Sequence, residues 1–254
     1  IHALLNDKQG NLWLGLYMRG LFMIPKSTYG FRPVNLYANN DSANGGVCVT
    51  SILRSQNGEL WVGSDGGGLY LISGNNKILN FSKHNSQLTN NSIMAMVEDK
   101  RGTIWIATYL GGLYTLAAGQ KQIVPYSKLH DMKLSCLAYD KLQDILYVGS
   151  LGNGVKAISL STNEIISITE EDTPFWTFTL YLNGVGDLWM GTAYGLYYYD
   201  NAIKKMQEIN MPKRELKTQI NACCQRGDTL WVGTNRGLIR YDVKNGQGKR
   251  YTRS

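Results

Sequence analysis

Short apolar runs alternate with turn residues along this chain, and one arrangement of them keeps returning. Taken at its third occurrence, the pattern predicts a strand over residues 92–98, a turn at Asp99-Lys100-Arg101-Gly102 and a second strand over residues 103–107. A turn at residues 109–112, a third strand over 113–116, a turn at Ala118-Gly119-Gln120-Lys121 and a fourth strand over 122–127 complete the unit. The second strand is apolar or small on both faces. Leu60 and Val62 share one face around Trp61, while Trp61 and Gly63 share the other. A strand with one wet face would alternate with polar residues, so this pattern predicts a sheet sandwiched between two others, with each small residue leaving room for the adjacent sheet.

The second strand also marks the repeat. Gly10-Asn11-Leu12-Trp13-Leu14-Gly15 returns as Gly58-Glu59-Leu60-Trp61-Val62-Gly63, Gly102-Thr103-Ile104-Trp105-Ile106-Ala107, Asp144-Ile145-Leu146-Tyr147-Val148-Gly149, Gly186-Asp187-Leu188-Trp189-Met190-Gly191 and Asp228-Thr229-Leu230-Trp231-Val232-Gly233. A second Gly and an apolar residue follow each time, from Gly20-Leu21 to Gly237-Leu238. The aromatic anchors are 48, 44, 42, 42 and 42 residues apart, a period that belongs to four-stranded propeller blades. The expected fold is therefore all-β, a β-propeller of four-stranded antiparallel blades with six repeats in this chain. It is read as a single domain over 1–254, with blades near 1–45, 46–90, 91–133, 134–172, 173–217 and 218–254. Six repeats are compatible with a ring of six or with six blades of seven.

Composition agrees: of 254 residues 43% are hydrophobic, with 28 Gly and 5 Pro, as many short strands and tight turns require. The net charge of +7 is uneven, since residues 201–254 hold 12 Lys/Arg against 4 Asp/Glu. A basic last blade could attract an acidic ligand, although solvated side chains on outer strands give the same count. No nucleic-acid module accompanies the charge. Cys48, Cys136, Cys223 and Cys224 fall in first strands and are expected to be separated, buried thiols; neighbours on a strand point to opposite faces, which disfavours a Cys223–Cys224 disulfide. Neither zinc spacing nor an apolar run long enough to span a membrane is present, and no metal or cofactor is expected.

Binding residues are expected on the turns between second and third strands, because these vary while their frame repeats. The candidates are Tyr17, Arg19, Asp65, Tyr109, Asn153, Tyr194, Asn235 and Arg236, whose rings, amides and charges could stack on and hydrogen-bond a polyhydroxylated ligand. Trp176 falls outside the repeat, at the entry to the first strand of blade five, where it is either a stacking platform or part of a channel wall. Catalysis finds no such pattern. His2, His84 and His130 lie in different blades, and no nucleophile, zinc or phosphate-cradling motif occurs; Asp65 paired with another acid would be the one route to glycosidic cleavage.

The phrases Asn90-Asn91-Ser92-Ile93 and Glu98 to Thr108 with Gly112-Leu113, together with Gly186 to Tyr199 and Asp228 to Asp242, closely resemble the two-component regulator propeller repeat. The chain departs from that motif at Ala107, Tyr147, Asp144 and Asp228. The resemblance implies a non-catalytic, extracytoplasmic ligand-sensing propeller of a bacterial hybrid sensor histidine kinase and response regulator. It implies a periplasmic location, an oligosaccharide or other small ligand, neighbouring propeller and β-sandwich domains, a homodimeric parent and membrane attachment through that parent alone. A scaffold or dimerisation propeller of the same sensor is the alternative, with a polysaccharide-cleaving propeller behind it. The resemblance carries no ligand residues across, because its motif is structural.

Overall fold

The structure, a computed structural model, describes residues 3–16, 20–26, 32–34, 36, 47–73, 77–169, 175–211 and 216–252. The chain divides into two units, Ile1–Met132 and Lys133–Ser254. In the first unit, one sheet holds β1 (Ala3–Asn6), β2 (Leu12–Leu16), β3 (Gly20–Ile24) and β4 (Arg32–Val34). A second holds β5 (Cys48–Arg54), β6 (Leu60–Asp65), β7 (Gly68–Ile72) and β8 (Ile78–Phe81), and a third β9 (Ile93–Glu98), β10 (Ile104–Thr108), β11 (Gly112–Leu116) and β12 (Ile123–Pro125). The second unit repeats the plan with β13 (Leu134–Asp140), β14 (Ile145–Gly152), β15 (Val155–Ser159) and β16 (Ile165–Ser167), then β17 (Phe175–Leu182), β18 (Leu188–Thr192), β19 (Leu196–Asp200) and β20 (Lys205–Ile209). Its last sheet is β21 (Ile220–Arg226), β22 (Thr229–Thr234), β23 (Gly237–Asp242) and β24 (Gly248–Tyr251). Within each set of four the strands pair antiparallel in chain order, and β14 also pairs with β17, which joins β13–β16 and β17–β20 into one eight-stranded sheet.

The first turn of a sheet is built around a side chain that caps it. Asp7 Oδ1 accepts the N–H groups of Gln9 and Asn11 at 3.0 and 2.8 Å, and Asp99 Oδ1 accepts those of Arg101 and Thr103 at 2.8 and 3.0 Å. The second carboxylate oxygen reaches inward, so Asp7 Oδ2 accepts the Trp13 indole N–H and Asp99 Oδ2 that of Trp105, both at 3.0 Å. These two anchors are thus tied to their own turns six residues earlier. Where the usual turn Gly is replaced by Asp144, that residue takes the left-handed conformation itself, with φ of 58°, and accepts a hydrogen bond from the Tyr139 hydroxyl.

Adjacent sheets meet at the small residue that follows each anchor. A Cβ added to Gly15 would lie 2.6 Å from Val49 Cγ1, and one on Gly63 would lie 2.8 Å from Ile93 Cγ2. In the second unit, Gly149 stands the same way against Thr177, and Gly191 against Ile220. A β-branched residue from the next first strand fills each notch, which is the close approach expected from the small residue beside each anchor. Strands β6, β10 and β18 are accordingly buried on both faces except at Asp65.

Three expectations need correction. The turn expected to carry Asn153 does not begin straight after the second strand's anchor segment: β14 continues through Leu151 and Gly152 and pairs with β17, Leu151 opposite Trp176 and Gly152 opposite Phe175, because the incoming link offers them ladder partners. Strand β22 is not buried on both faces, since Leu230 and Val232 are buried while Trp231 and Gly233 are half-exposed; a Cβ on Gly233 would meet only Ala222 of its own sheet, at 3.6 Å or more. The cysteines do not share one environment either. Cys136 is buried, Cys48 and Cys223 are half-buried, and Cys224 is exposed because it lies on the open face of that last sheet. Burial pushes both the Cys136 and Cys223 thiols up to about 12. All four thiols are free.

Candidate functional site

The variable turns are held by a hydroxyl that the repeat supplies. Ser64, Thr108, Ser150, Thr192 and Thr234 each donate to the carbonyl of the glycine opening the next strand, namely Gly68, Gly112, Gly154, Gly195 and Gly237, at 2.9, 2.8, 3.2, 2.9 and 2.8 Å. The same oxygen also accepts from inside the turn: Thr192 Oγ1 takes the N–H groups of Tyr194 and Gly195, both at 3.1 Å. The polar groups of these tight turns are therefore satisfied internally, and the residues between hydroxyl and glycine are left to project.

Two groups of candidates come together, one in each unit. In the first, Ser92 is the link: its hydroxyl donates to Asp65 at 2.6 Å and its carbonyl accepts the Tyr109 N–H at 2.9 Å. Asp65 thus braces the entry to the next sheet, and it meets a hydroxyl rather than a second acid. Beside it Leu110, held at φ of 60°, exposes its side chain.

In the second unit, the start of β17 is gripped from two sides. Leu151 pairs opposite Trp176, and the Ala193 N–H donates to the Trp176 carbonyl at 2.9 Å. Strand alternation then sorts the side chains. Phe175 and Thr177 turn inward, Phe175 edge-on to Tyr197 with ring centroids 4.9 Å apart, while Trp176 turns out and stays 46% exposed. Burial, with the Glu208 charge adding to it, raises the Tyr197 phenol above its ordinary value, so this ring remains neutral beneath the site. Tyr194, one residue beyond Ala193, is 54% exposed. Asn153, also exposed, closes the group: its N–H donates to Ser150 Oγ at 3.1 Å and its backbone bridges to Phe175.

The remaining candidates divide. Asn235 is occupied locally, with its Oδ1 accepting the Thr218 hydroxyl at 2.5 Å, and Arg236 is exposed on the same turn. Tyr17 and Arg19 lie outside the described residues. Sequence reading overlooked Ser92 and the row of hydroxyls, although Gly-Ser or Gly-Thr follows the anchor in four repeats and Ala-Thr in a fifth. Among the described residues no group of three or more His, Cys, Asp and Glu could hold a metal ion.

Comparison with known proteins now bears on these sheets. Residues 87–110, which run from the link before β9 through β10 and into the following turn, match the family model of the two component regulator propeller. Residues 87–110 thus resemble one two component regulator propeller repeat. No curated protein matches the sequence. Among solved structures, the extracellular domain of the hybrid two component system BT4673 from B. thetaiotaomicron matches with a TM-score of 0.76 at 18% identity, over 99% of this chain and 36% of that one. That of the hybrid two component system BT3049 from the same organism matches with a TM-score of 0.76 at 18% identity, over 92% of this chain and 32% of that one. A virginiamycin B lyase from Staphylococcus aureus is similar at a TM-score of 0.77 and 13% identity, over 100% of this chain and 84% of that one. These likenesses show the fold, a β-propeller of the repeat's four-stranded sheets. The chain spans about a third of the length of the two extracellular domains.

Proposed function

We propose that the chain is part of the extracytoplasmic ligand-sensing region of a hybrid two component sensor, and that it binds an oligosaccharide without transforming it. The carrying observation is the pair of exposed rings at Trp176 and Tyr194, which stand on neighbouring stretches of backbone joined by the bond from the Ala193 N–H to the Trp176 carbonyl. An aromatic face held outward on a rigid frame offers the apolar side of a pyranose a stacking surface at little entropic cost, and the exposed Asn153 beside it supplies amide donors and an acceptor for hydroxyls. The repeat match and the extracellular domains that share the fold support an extracytoplasmic setting. In the parent we propose, this region lies in the periplasm beside further domains, a membrane segment, a kinase and a receiver, and the parent acts as a homodimer. Ligand would favour one arrangement of the parent's subunits and so bias its kinase.

The test is calorimetric and thermal titration of this chain against neutral and acidic oligosaccharides, with Trp176→Ala alongside. Saturating ligand at about a hundred times its Kd adds roughly 2.7 kcal/mol. A shift with one sugar class that Trp176→Ala removes, with the melting temperature of the free chain unchanged, supports the reading. If no sugar moves the folded protein, the rim is not a sugar site and a scaffold role takes its place.

A further inference from the structure

Of the first unit's three sheets, the second lacks the bond between turn and anchor, and a cavity lies where it is missing. The turns starting at Asp7, Ser55 and Asp99 have the same backbone bonds: the capping residue's N–H reaches the carbonyl four residues on, at Asn11, Glu59 and Thr103, and its own carbonyl accepts the N–H three residues on, at Gly10, Gly58 and Gly102. All three precede their Trp by six residues. Asp7 and Asp99 extend a second oxygen to the indole. Ser55 has none to extend; its hydroxyl is engaged with Asn57 Oδ1 and the Glu59 carbonyl. The Trp61 indole N–H is consequently buried without a partner, in a side chain 1% exposed. Leaving such a donor unpaired is costly, so an acceptor brought to it is favoured.

Trp61 lines a cavity of about 390 Å³ between the second and third sheets. Ile104, Leu116 and Ala117 give it apolar walls, and its charged lining residues are both acids, Glu59 and Glu98. Glu98 Oε2 accepts the Gln56 N–H at 2.7 Å. Burial pushes the Glu98 carboxyl up, with the Asp99 charge adding to it and the Gln56 N–H opposing, so a cation beside it would relieve a cost that water does not.

We propose that this cavity is a binding site for a small organic amine with an apolar body and a neutral hydrogen-bond acceptor, the ammonium pairing with Glu98 and the acceptor taking the Trp61 indole N–H. Anions are disfavoured by the two carboxylates, and a purely apolar molecule would leave the indole unpaired. The site lies wholly in the first unit and does not depend on the oligosaccharide reading.

The test uses three probes of one shape on the whole chain: 2-amino-1-phenylethanol, 1-phenylethanol and mandelate, followed by calorimetry. The amino alcohol is expected to bind at least tenfold more tightly than the alcohol, and mandelate not at all. Glu98→Gln should remove that tenfold preference while the fold persists. Ser55→Asp should supply the missing oxygen, raise the melting temperature and weaken the amine at least tenfold. Equal binding of all three probes, or unchanged affinity in either variant, overturns the proposal. So does a result in which no probe binds and Ser55→Asp still stabilises, which would mean that the cavity holds water only. Should Ser55→Asp fold poorly, Glu98→Gln decides alone.

Discussion

A Cβ placed on Gly191 would stand 2.7 Å from Cγ2 of Ile220, the residue that opens the first strand of the next sheet. It would also meet Thr179 Cγ2 at 2.5 Å from its own sheet, so neither side can yield without moving a backbone. Overpacking of this kind costs about 1–3 kcal/mol. Gly191→Ala is therefore expected to lower the melting temperature by several degrees, whereas Gly233→Ala, with nothing nearer than 3.6 Å, should leave it within about a degree. Differential scanning calorimetry of the two variants measures the contrast, and a large loss in Gly233→Ala would show that the last sheet's half-open face is covered in solution.

Trp105 and Asp99 depend on one another in a different way. Phenylalanine at 105 keeps an aromatic ring but withdraws the N–H from Asp99 Oδ2, in a carboxylate 1% exposed. Trp105→Phe should cost about 1–3 kcal/mol beyond its packing loss. At Trp61, where that bond is absent, the same substitution should cost less by that amount. Urea unfolding of both variants gives the comparison; equal losses would mean that the indole bond contributes nothing.

Acid should unfold the protein through carboxylates of this kind. Burial opposes ionisation of Asp7, but the Trp13 indole, the Asn11 amide and the N–H groups of Asn11 and Gln9 outweigh it, and its pKa lies below the ordinary value. For Asp187 burial is likewise outweighed, by the Tyr198 hydroxyl, the Asn201 N–H and Asn183. Because the folded values are depressed, this stabilisation is complete above the unfolded aspartate pKa of about 3.9 and is lost as pH falls through the folded values. Melting temperatures between about pH 2.5 and 6 should decline below about pH 4, and more shallowly in Asp7→Asn and Asp187→Asn.

The thiols should react in an order set by their surroundings. Cys224 is exposed and is expected to be labelled first by a disulfide reagent at neutral pH. Cys136 and Cys223, held up near 12, carry almost no thiolate there and should stay unlabelled until the chain unfolds. Loss of the fast phase in Cys224→Ser is the check; a fast phase that survives would place a second reactive thiol in the folded protein.

Much of this was legible before the structure. Trp61, Trp105 and Trp189 carry the period, and the glycine two residues after Trp61 and Trp189 announces the notch that Ile93 or Ile220 fills, because both are requirements of packing one sheet on the next. What the residues could not announce was how links pair. Nothing in Leu151-Gly152 marks it as strand, since its partner is the incoming chain at Phe175-Trp176. The site was half visible for the same reason: Tyr194 and Trp176 could each be singled out, but the bond from Ala193 that joins their stretches of backbone depends on where β17 begins. Ser55 was plain in the sequence, yet its shortness acquires meaning only when Asp7 and Asp99 are seen holding their indoles.

The hydroxyl that closes five of the variable turns on their own glycines has a consequence for how such a chain can change. Since Thr192 and Thr234 satisfy the local backbone themselves, the few positions between them and Gly195 or Gly237 can be rewritten without renegotiating strand register. Residues 193–194 and 235–236 are therefore places where new specificities can be installed by substitution alone, by drift in a genome or by a randomised library at the bench, while the surrounding scaffold is inherited unchanged.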